Sequence, residues 1–479
     1  MIVKHIISVI FLLFVPHLSP AQDSTHACSA PKIIRQINIY GNHQTKSFVI
    51  LSRLLIDTGT FFDSTKLTEA KERLKSTGLF TRVDIFPMEK KDGVYLYVIV
   101  YERFYFSFYD AGGELYGFKY GNKDIWWRLR LGLEKSNFRG RMEILRTSFS
   151  FWDWRSFYAY WQKPLLPSRF YTGVGASVDY YPDEVFPVNH TDFSARFTLG
   201  RYFFKRSRAA ISIIPRYRHE KPVGDDSVLY SFSAYRANNI VHNDSLLYSI
   251  KAYEAYATIG WLTDRRNHFY DPSSGWLVSA DLRTNQLYSG RSTPFYQLSS
   301  ETRLYHRGFF HDNKVACRIG TVFRNTNAGP LNRLYYGGEG SVRGYYRLEI
   351  GGFIGSKFLP ANNSILFSTE YRFTIYEFPE IRLPLLANIS SSLSSIKYRL
   401  DGQFILDYCR TGYDLDGLFS FKSDKVESGT GIGFGVRLQV PSLDHGISCD
   451  LVFGQDPRSG FGKIKFRSPV IHTYIDMPY

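Results

Sequence analysis

From Phe104 almost to its end the chain repeats one pattern, apolar and polar residues alternating one by one, and few folds accommodate it. Residues 430–440 put Ile432, Phe434, Val436, Leu438 and Val440 on one face and Gly431, Gly433, Gly435, Arg437 and Gln439 on the other. A period of two is that of a β-strand, whose successive side chains point to opposite faces. Residues 365–375 set Phe367, Tyr371 and Phe373 against Ser368, Glu370 and Arg372, and 170–180, 193–200, 276–284 and 398–409 repeat the design. About sixteen such runs occur, an even number within the range of antiparallel membrane barrels.

The same alternation would serve a soluble β-sandwich, with the apolar faces meeting in a core. Export and aromatic content favour a barrel with its apolar faces toward lipid. Residues 1–21 read as a secretory signal peptide: Lys4 and His5, an apolar run over 6–15, then Ser19-Pro20-Ala21 as the cleavage site. That run is too short to cross about 30 Å of hydrocarbon as a helix, and no run of eighteen apolar residues follows it. The chain is 17% aromatic, yet its mean hydropathy is only −0.23. Strands that alternate faces and carry aromatic girdles have that composition.

Residues 22–31 form a linker, and 32–103 depart from the period of two. A strand over 33–42 ends in Gly41-Asn42. A helix over 45–55 follows, with Phe48, Leu51, Leu54 and Leu55 at helical spacing. Asp63 or Ser64 caps a second helix over 65–76, and Gly78 stands at its C′ end. Two strands, 82–87 and 94–101, close a β-α-α-β-β unit around Asp92-Gly93. The fold class is therefore an all-β transmembrane barrel of about 16 antiparallel strands over 104–479, preceded by one small α/β module.

Within the barrel segment, residues 326–363 are a long connection, and long connections in compact domains are usually functional or disordered. It contains Gly337, Gly338, Gly340 and Gly344, which permit tight backbone angles, and it carries a single arginine in that cluster, Arg343. No GK[ST] follows, so this is not a phosphate loop. Parity puts Glu370 and Asp407 on the polar faces of consecutive strands, pointing into the lumen. Arg343 could fold inward and pair with both, because a guanidinium binds carboxylates as a planar fork and stays charged.

Residues 341–345, Ser-Val-Arg-Gly-Tyr after Gly337-Gly338, resemble the VRGF/Y loop of the BamA/TamA outer-membrane assembly superfamily, the bacterial surface antigen barrels. Thr263-Asp264-Arg265-Arg266 with 271–275, Ser368–Phe373 and Gly429–Gly435 are similar to further blocks of that family, in the right order. The family's Phe-x-Asp-x-Gly stands here as 405–409, keeping Asp407 and replacing the last glycine by Cys409. The module resembles a POTRA domain in Gly41-Asn42, 54–59 and 74–83.

The resemblance implies a loop lock of Arg343, Glu370 and Asp407, with Gly337, Gly338, Ser341, Val342, Gly344 and Tyr345 as the loop motif. It also implies a bacterial outer-membrane location with the POTRA domain in the periplasm. A weak seam would lie between a first strand at 104–110 and a last strand within 462–474. The expected function is insertion of outer-membrane proteins or translocation of polypeptide by strand addition at that seam, with the POTRA domain guiding substrate. Partners would be unfolded outer-membrane or secreted polypeptides, outer-membrane lipid and accessory lipoproteins. A dedicated exporter of one partner protein or lipid, and a passive pore, are the alternatives.

Enzymatic readings find no support. No G-x-S-x-G is present, although some relatives carry a lipase domain before a single POTRA. The histidines are scattered, so neither metal nor cofactor is expected. Four cysteines, at 28, 317, 409 and 449, form no disulfide framework and read as packing or lipid-facing residues. The net charge of +15 lies mostly beyond Phe104 and suits acidic lipid or acidic chain. An exported protein without a clustered basic helix is a poor partner for nucleic acid. Asp264 and Arg265 are expected only to shape a turn.

Overall fold

The computed structural model describes residues 32–116, 126–152, 154–182, 188–203, 206–222, 250–267, 271–289, 294–308, 310, 313–325, 334, 336–338, 340–345, 350, 361–382, 395–420, 426–440, 445–455, 466 and 468–475. The segments expected to be a signal peptide (1–21) and a linker (22–31), and part of the long loop, lie outside them.

The N-terminal module runs β1 (Ile34–Tyr40), α1 (Ser47–Leu54), α2 (Ser64–Lys75), β2 (Phe80–Lys90), β3 (Gly93–Glu102). Its sheet has the order β1-β3-β2, with β1 parallel and β2 antiparallel to the central β3. Alternation along β3 sends Val94, Leu96, Val98 and Val100 into a core shared with Ile50, Leu54, Ala70, Leu74 and Val83. Each buried Val, Leu or Ile among them contributes roughly 1.5–3 kcal/mol. The side chain of Asp63 caps α2 by accepting the Thr65 N–H at 2.9 Å. These hydrogen bonds from Thr65 also hold its carboxyl below the usual range. α1 ends at Leu55 with φ 53°, and the Arg73 guanidinium donates to the carbonyl oxygen of Leu54 at 2.8 Å, satisfying an end that α1 cannot satisfy itself.

Two details differ from expectation. α1 buries Val49, Ile50 and Leu54, while Phe48, Leu51 and Leu55 are exposed. Both sets have helical spacing, so docking against the sheet chose between them. Gly78, at φ 73°, lies two residues beyond the Ser76 cap of α2, so it turns the chain into β2 without occupying C′.

The barrel strands are β4 (Phe106–Tyr116), β5 (Trp126–Phe138), β6 (Glu143–Trp152), β7 (Arg155–Leu165), β8 (Phe170–Pro182), β9 (Val188–Phe203), β10 (Ser207–Pro222) and β11 (Ile250–Asp264). They continue as β12 (Gly275–Tyr288), β13 (Tyr296–Arg307), β14 (Lys314–Arg324) and β15 (Asn363–Glu377). After the two-residue strands β16 (Ile381–Arg382) and β17 (Ser395–Ile396), which pair with each other, come β18 (Arg399–Gly412), a short α3 (Leu415–Phe419), β19 (Val426–Val440), β20 (His445–Gly454) and β21 (Val470–Ile475). Without β16 and β17, the sixteen strands from β4 to β21 close one antiparallel barrel in sequence order. No helix among the described residues is long and apolar enough to cross a membrane. The outward faces form the apolar belt: Phe197, Ile211, Ile259, Phe404, Phe434 and Ile471 are exposed, as lipid-facing residues should be. The inward faces bury Ser368, Glu370, Arg372, Gln403, Asp407, Arg437 and Asp450.

Closure is uneven. β9 and β10 share fourteen residue pairs. Among the described residues β21 and β4 share three, Thr473 with Gly113, Tyr474 with Gly112 and Ile475 with Ala111. The first strand begins at Phe106, later than the period of two suggested, because Tyr105 is engaged elsewhere. Its buried hydroxyl donates to the carbonyl oxygen of Leu79 at 3.0 Å and lies 3.0 Å from Thr45 Oγ1. Burial pushes that hydroxyl's pKa up to about 12. Around it the module docks on the β5–β6 turn. Asn137 Nδ2 donates to Thr45 Oγ1 at 2.8 Å, and the Lys46 N–H donates to the Gly140 carbonyl at 2.9 Å. Gly140 is required here, since a Cβ would stand 2.0 Å from the Gln44 carbonyl oxygen.

Candidate functional site

The loop between β14 and β15 is closed by its own backbone before it meets the barrel wall. Tyr336 and Ile350 exchange two N–H···O bonds of 2.8 Å, and the Gly338 N–H donates to the Tyr345 carbonyl at 3.0 Å. The Ser341 hydroxyl accepts the Gly337 N–H at 2.7 Å. Gly337, Gly338 and Gly344 all have positive φ, which a side chain would resist. The turn so formed buries Val342 and Tyr345 against Ile350, Leu366 and Cys409. Cys409, at the position where the family motif has glycine, is thus a packing residue beneath the loop. The Tyr345 hydroxyl donates to the Gln455 carbonyl at 2.6 Å and accepts the Thr430 N–H at 3.0 Å, tying the loop to β19 and the end of β20.

Arg343 is fully buried. Its guanidinium forks onto Asp407, Nε to Oδ2 at 2.7 Å and Nη2 to Oδ1 at 2.9 Å, and its backbone N–H reaches Oδ2 at 3.0 Å. Nη1 donates to Glu370 Oε1 at 2.5 Å and to Asp450 Oδ2 at 3.1 Å. Arg372 Nε donates to Glu370 Oε2 at 2.7 Å, and Ser368 donates to Asp407. Three carboxylates and two guanidiniums, nearly or fully out of water, are held by mutual hydrogen bonds. Desolvation offsets much of their attraction, but removing one member would leave charge buried without its partner.

Sequence parity had no means of linking Asp450 and Tyr474 to Arg343. Tyr474 Oη donates to Asp450 Oδ2 at 2.8 Å and lies 3.4 Å from Arg343 Nη1, while the Gly344 N–H donates to His472 Nε2 at 3.1 Å. The one available signal was alternation along β20 and β21. It puts Ser448, Asp450 and Val452, then Val470, His472 and Tyr474, on the buried face.

Glycines of β19 and β20 explain how the loop fits. A Cβ on Gly431 would lie 1.9 Å from the Arg343 carbonyl oxygen, one on Gly429 2.3 Å from Ile350 Cδ1, and one on Gly454 2.2 Å from the Gly344 carbonyl oxygen. The loop backbone lies directly on a strip of wall from which side chains are missing. Toward the module end a second ionic group follows. Asp271 accepts from Lys314 at 2.5 Å and from Arg399 at 2.7 Å, and Arg399 also holds Asp401 at 2.8 Å. In the β11–β12 turn Asp264 is gripped by Arg266, at 3.0 and 2.8 Å. Arg265 instead donates its backbone N–H to the Trp276 carbonyl at 2.7 Å. Among the described residues no group of His, Cys, Asp and Glu is arranged to hold a metal ion.

Comparisons with known proteins agree with this architecture. An Omp85 superfamily domain matches residues 137–444, and a POTRA model described as a surface antigen variable number repeat matches 32–103. BamA from Haemophilus ducreyi lacking POTRA domains 1–3 is similar in structure, with TM-score 0.61, 16% identity, and 93% of this chain and 84% of that chain covered. CdiB from Acinetobacter baumannii is similar at TM-score 0.55 and 14% identity, covering 93% and 73%. CdiB from Escherichia coli is similar at TM-score 0.53 and 10% identity, covering 95% and 92%. Family and fold are those of non-enzymatic bacterial outer-membrane barrels that handle outer-membrane or secreted polypeptides. The match over most of the barrel makes the chain a member of the Omp85 superfamily, with a role in outer-membrane protein insertion or translocation.

Proposed function

We propose that this barrel acts by strand addition at the β21–β4 seam, with its POTRA domain in the periplasm guiding unfolded polypeptide toward it. The observation that carries the reading is the seam of three residue pairs among the described residues, beside the fourteen between β9 and β10. A lightly paired strand edge is a template on which an extended chain can add main-chain hydrogen bonds. The loop supports a division of labour at that seam. Through Tyr474, His472 and Asp450 it braces the β21 side, leaving the β4 side as the lip that moves. Arg343, Glu370 and Asp407 are read as the lock that keeps the brace in place, and accessory lipoproteins and outer-membrane lipid as the remaining partners.

The test is a disulfide lock across the seam, Gly113→Cys with Thr473→Cys, in cells depleted of the native protein. Strand addition predicts that the oxidised double variant, at normal abundance, fails to restore several unrelated outer-membrane barrels, and that reduction restores them. Full activity of the locked barrel would overturn the mechanism. Loss of a single exported protein on depletion would make this a dedicated transporter, and no loss at all would favour a pore or lipid role.

A further inference from the structure

None of the described residues of the loop lines a second feature of the lumen, a cavity of about 570 Å³ formed by β6 to β12 and within the ~300–1,000 Å³ usual for ligand sites. Its wall holds the space open. The Tyr160 ring lies over Gly173, where a Cβ would stand 2.1 Å from its hydroxyl oxygen, and the Tyr171 ring lies over Gly200, where a Cβ would stand 2.2 Å from Cζ. Two large side chains of inward parity are therefore laid flat against glycines and do not project into the lumen.

Five arginines and three aspartates line the cavity. Arg216 is paired with Asp192, which Arg218 also holds at 3.0 Å. Arg196, Arg208 and Arg283 make no ion pair among the described residues; Arg283 stacks on Tyr256 at 3.9 Å, and its Nε has no hydrogen-bond partner there. These three stand on β9, β10 and β12, so about 14 Å separates the outer two at ~4.8 Å per strand. Asp281 faces both Arg283 and Arg196, but Arg283 is level with Ser212, four residues along β10 from Arg208, so about 13 Å of strand also separates these two and one carboxylate cannot reach all three arginines. An extended chain presents alternate side chains on one face about 7 Å apart, so two or three acidic residues can.

We infer that the β6–β12 side of the lumen is a binding site for an acidic stretch of extended polypeptide, held by Arg196, Arg208 and Arg283. The inference rests on the reading of the barrel as one that handles polypeptide, and names the chemistry of the segment it would take.

The experiment uses the full chain in detergent and the fluorescence anisotropy of a labelled oligo-glutamate peptide, with inorganic tripolyphosphate as competitor. The peptide should bind at low salt and weaken as salt rises. Replacing Arg196, Arg208 and Arg283 together by Gln should weaken it about tenfold or more. Gly173→Val alters no charge but pushes Tyr160 off the wall into the cavity, and should weaken it as well. The heat-modified gel mobility of each variant checks that the barrel is folded. Unchanged peptide affinity in both folded variants overturns the site. Tripolyphosphate binding as tightly as the peptide makes it a small-oxyanion site and overturns the peptide assignment. Neither result touches the seam mechanism, which the disulfide lock tests separately.

Discussion

The two halves of the barrel are held by different means. From β14 to β21 the wall is clamped from within, by a loop whose arginine engages carboxylates on β15, β18 and β20 and whose backbone rests on the glycines of β19. From β6 to β12 there is a cavity with ion pairs such as Asp192 with Arg216 and Arg218 in its wall, and Tyr105, Asn137 and Gly140 tie the foot of β4 and the β5–β6 turn from outside to the POTRA domain. The halves meet at the three-pair seam. The difference teaches that the two sides of one weak joint can be anchored independently, one by a loop inside the lumen and the other by a domain outside it.

The strongest way to break this contrast is to remove the clamp. Arg343→Ala leaves Asp407 and Asp450 buried with no guanidinium, and such a break costs about 3–5 kcal/mol. The temperature at which the folded barrel loses its compact gel mobility should fall sharply. Arg343→Lys keeps the charge but loses the fork, and should fall between the two. Equal melting of all three forms would show that the loop clamps nothing.

Gly431→Val attacks the same seat without touching a charge. Its Cβ would overlap the Arg343 carbonyl oxygen, and overpacking of this kind costs typically ~1–3 kcal/mol. Protease access to the loop should rise, with a smaller drop in melting. A variant as protected as the parent would mean that the seat is not needed.

The smallest effect sharpens the other side of the comparison. Tyr105→Phe removes the hydroxyl's hydrogen bonds to Leu79 and Thr45, each about 1 kcal/mol net, from the anchor of the β4 half. Faster amide exchange is expected at Leu79 and along the foot of β4, with the clamp unchanged. The hydroxyl titrates near 10 when unfolded and at about 12 when folded. Its contribution is therefore complete below pH 10 and lost as pH rises from about 10 to 12. The phenylalanine variant should lose that alkaline step, and a step that persists would assign it to another group.

By itself the sequence determined every feature that depends on local period. Alternation specified strands, their number and which residues face inward, so Glu370 and Asp407 were legible as lumenal carboxylates. The glycine cluster was legible as a tight turn carrying Arg343, and the change to a helical period marked out the POTRA domain. Parity says which way a side chain points, but not which strands become neighbours or how far a loop reaches. Asp450 and Tyr474, 107 and 131 residues from Arg343 in the chain, join it only because the loop before β15 reaches across β18 and β19 to the strands that follow them in the wall. The burial of Val49 and Ile50 and the exposure of Phe48 and Leu51 were likewise decided by docking, since helical spacing fits both faces of α1. The role of the β19 glycines, which reads locally only as an absence of side chains, appears once a distant loop lies on them. Contacts between segments far apart in the chain carry no local period, and only the tertiary structure decided them.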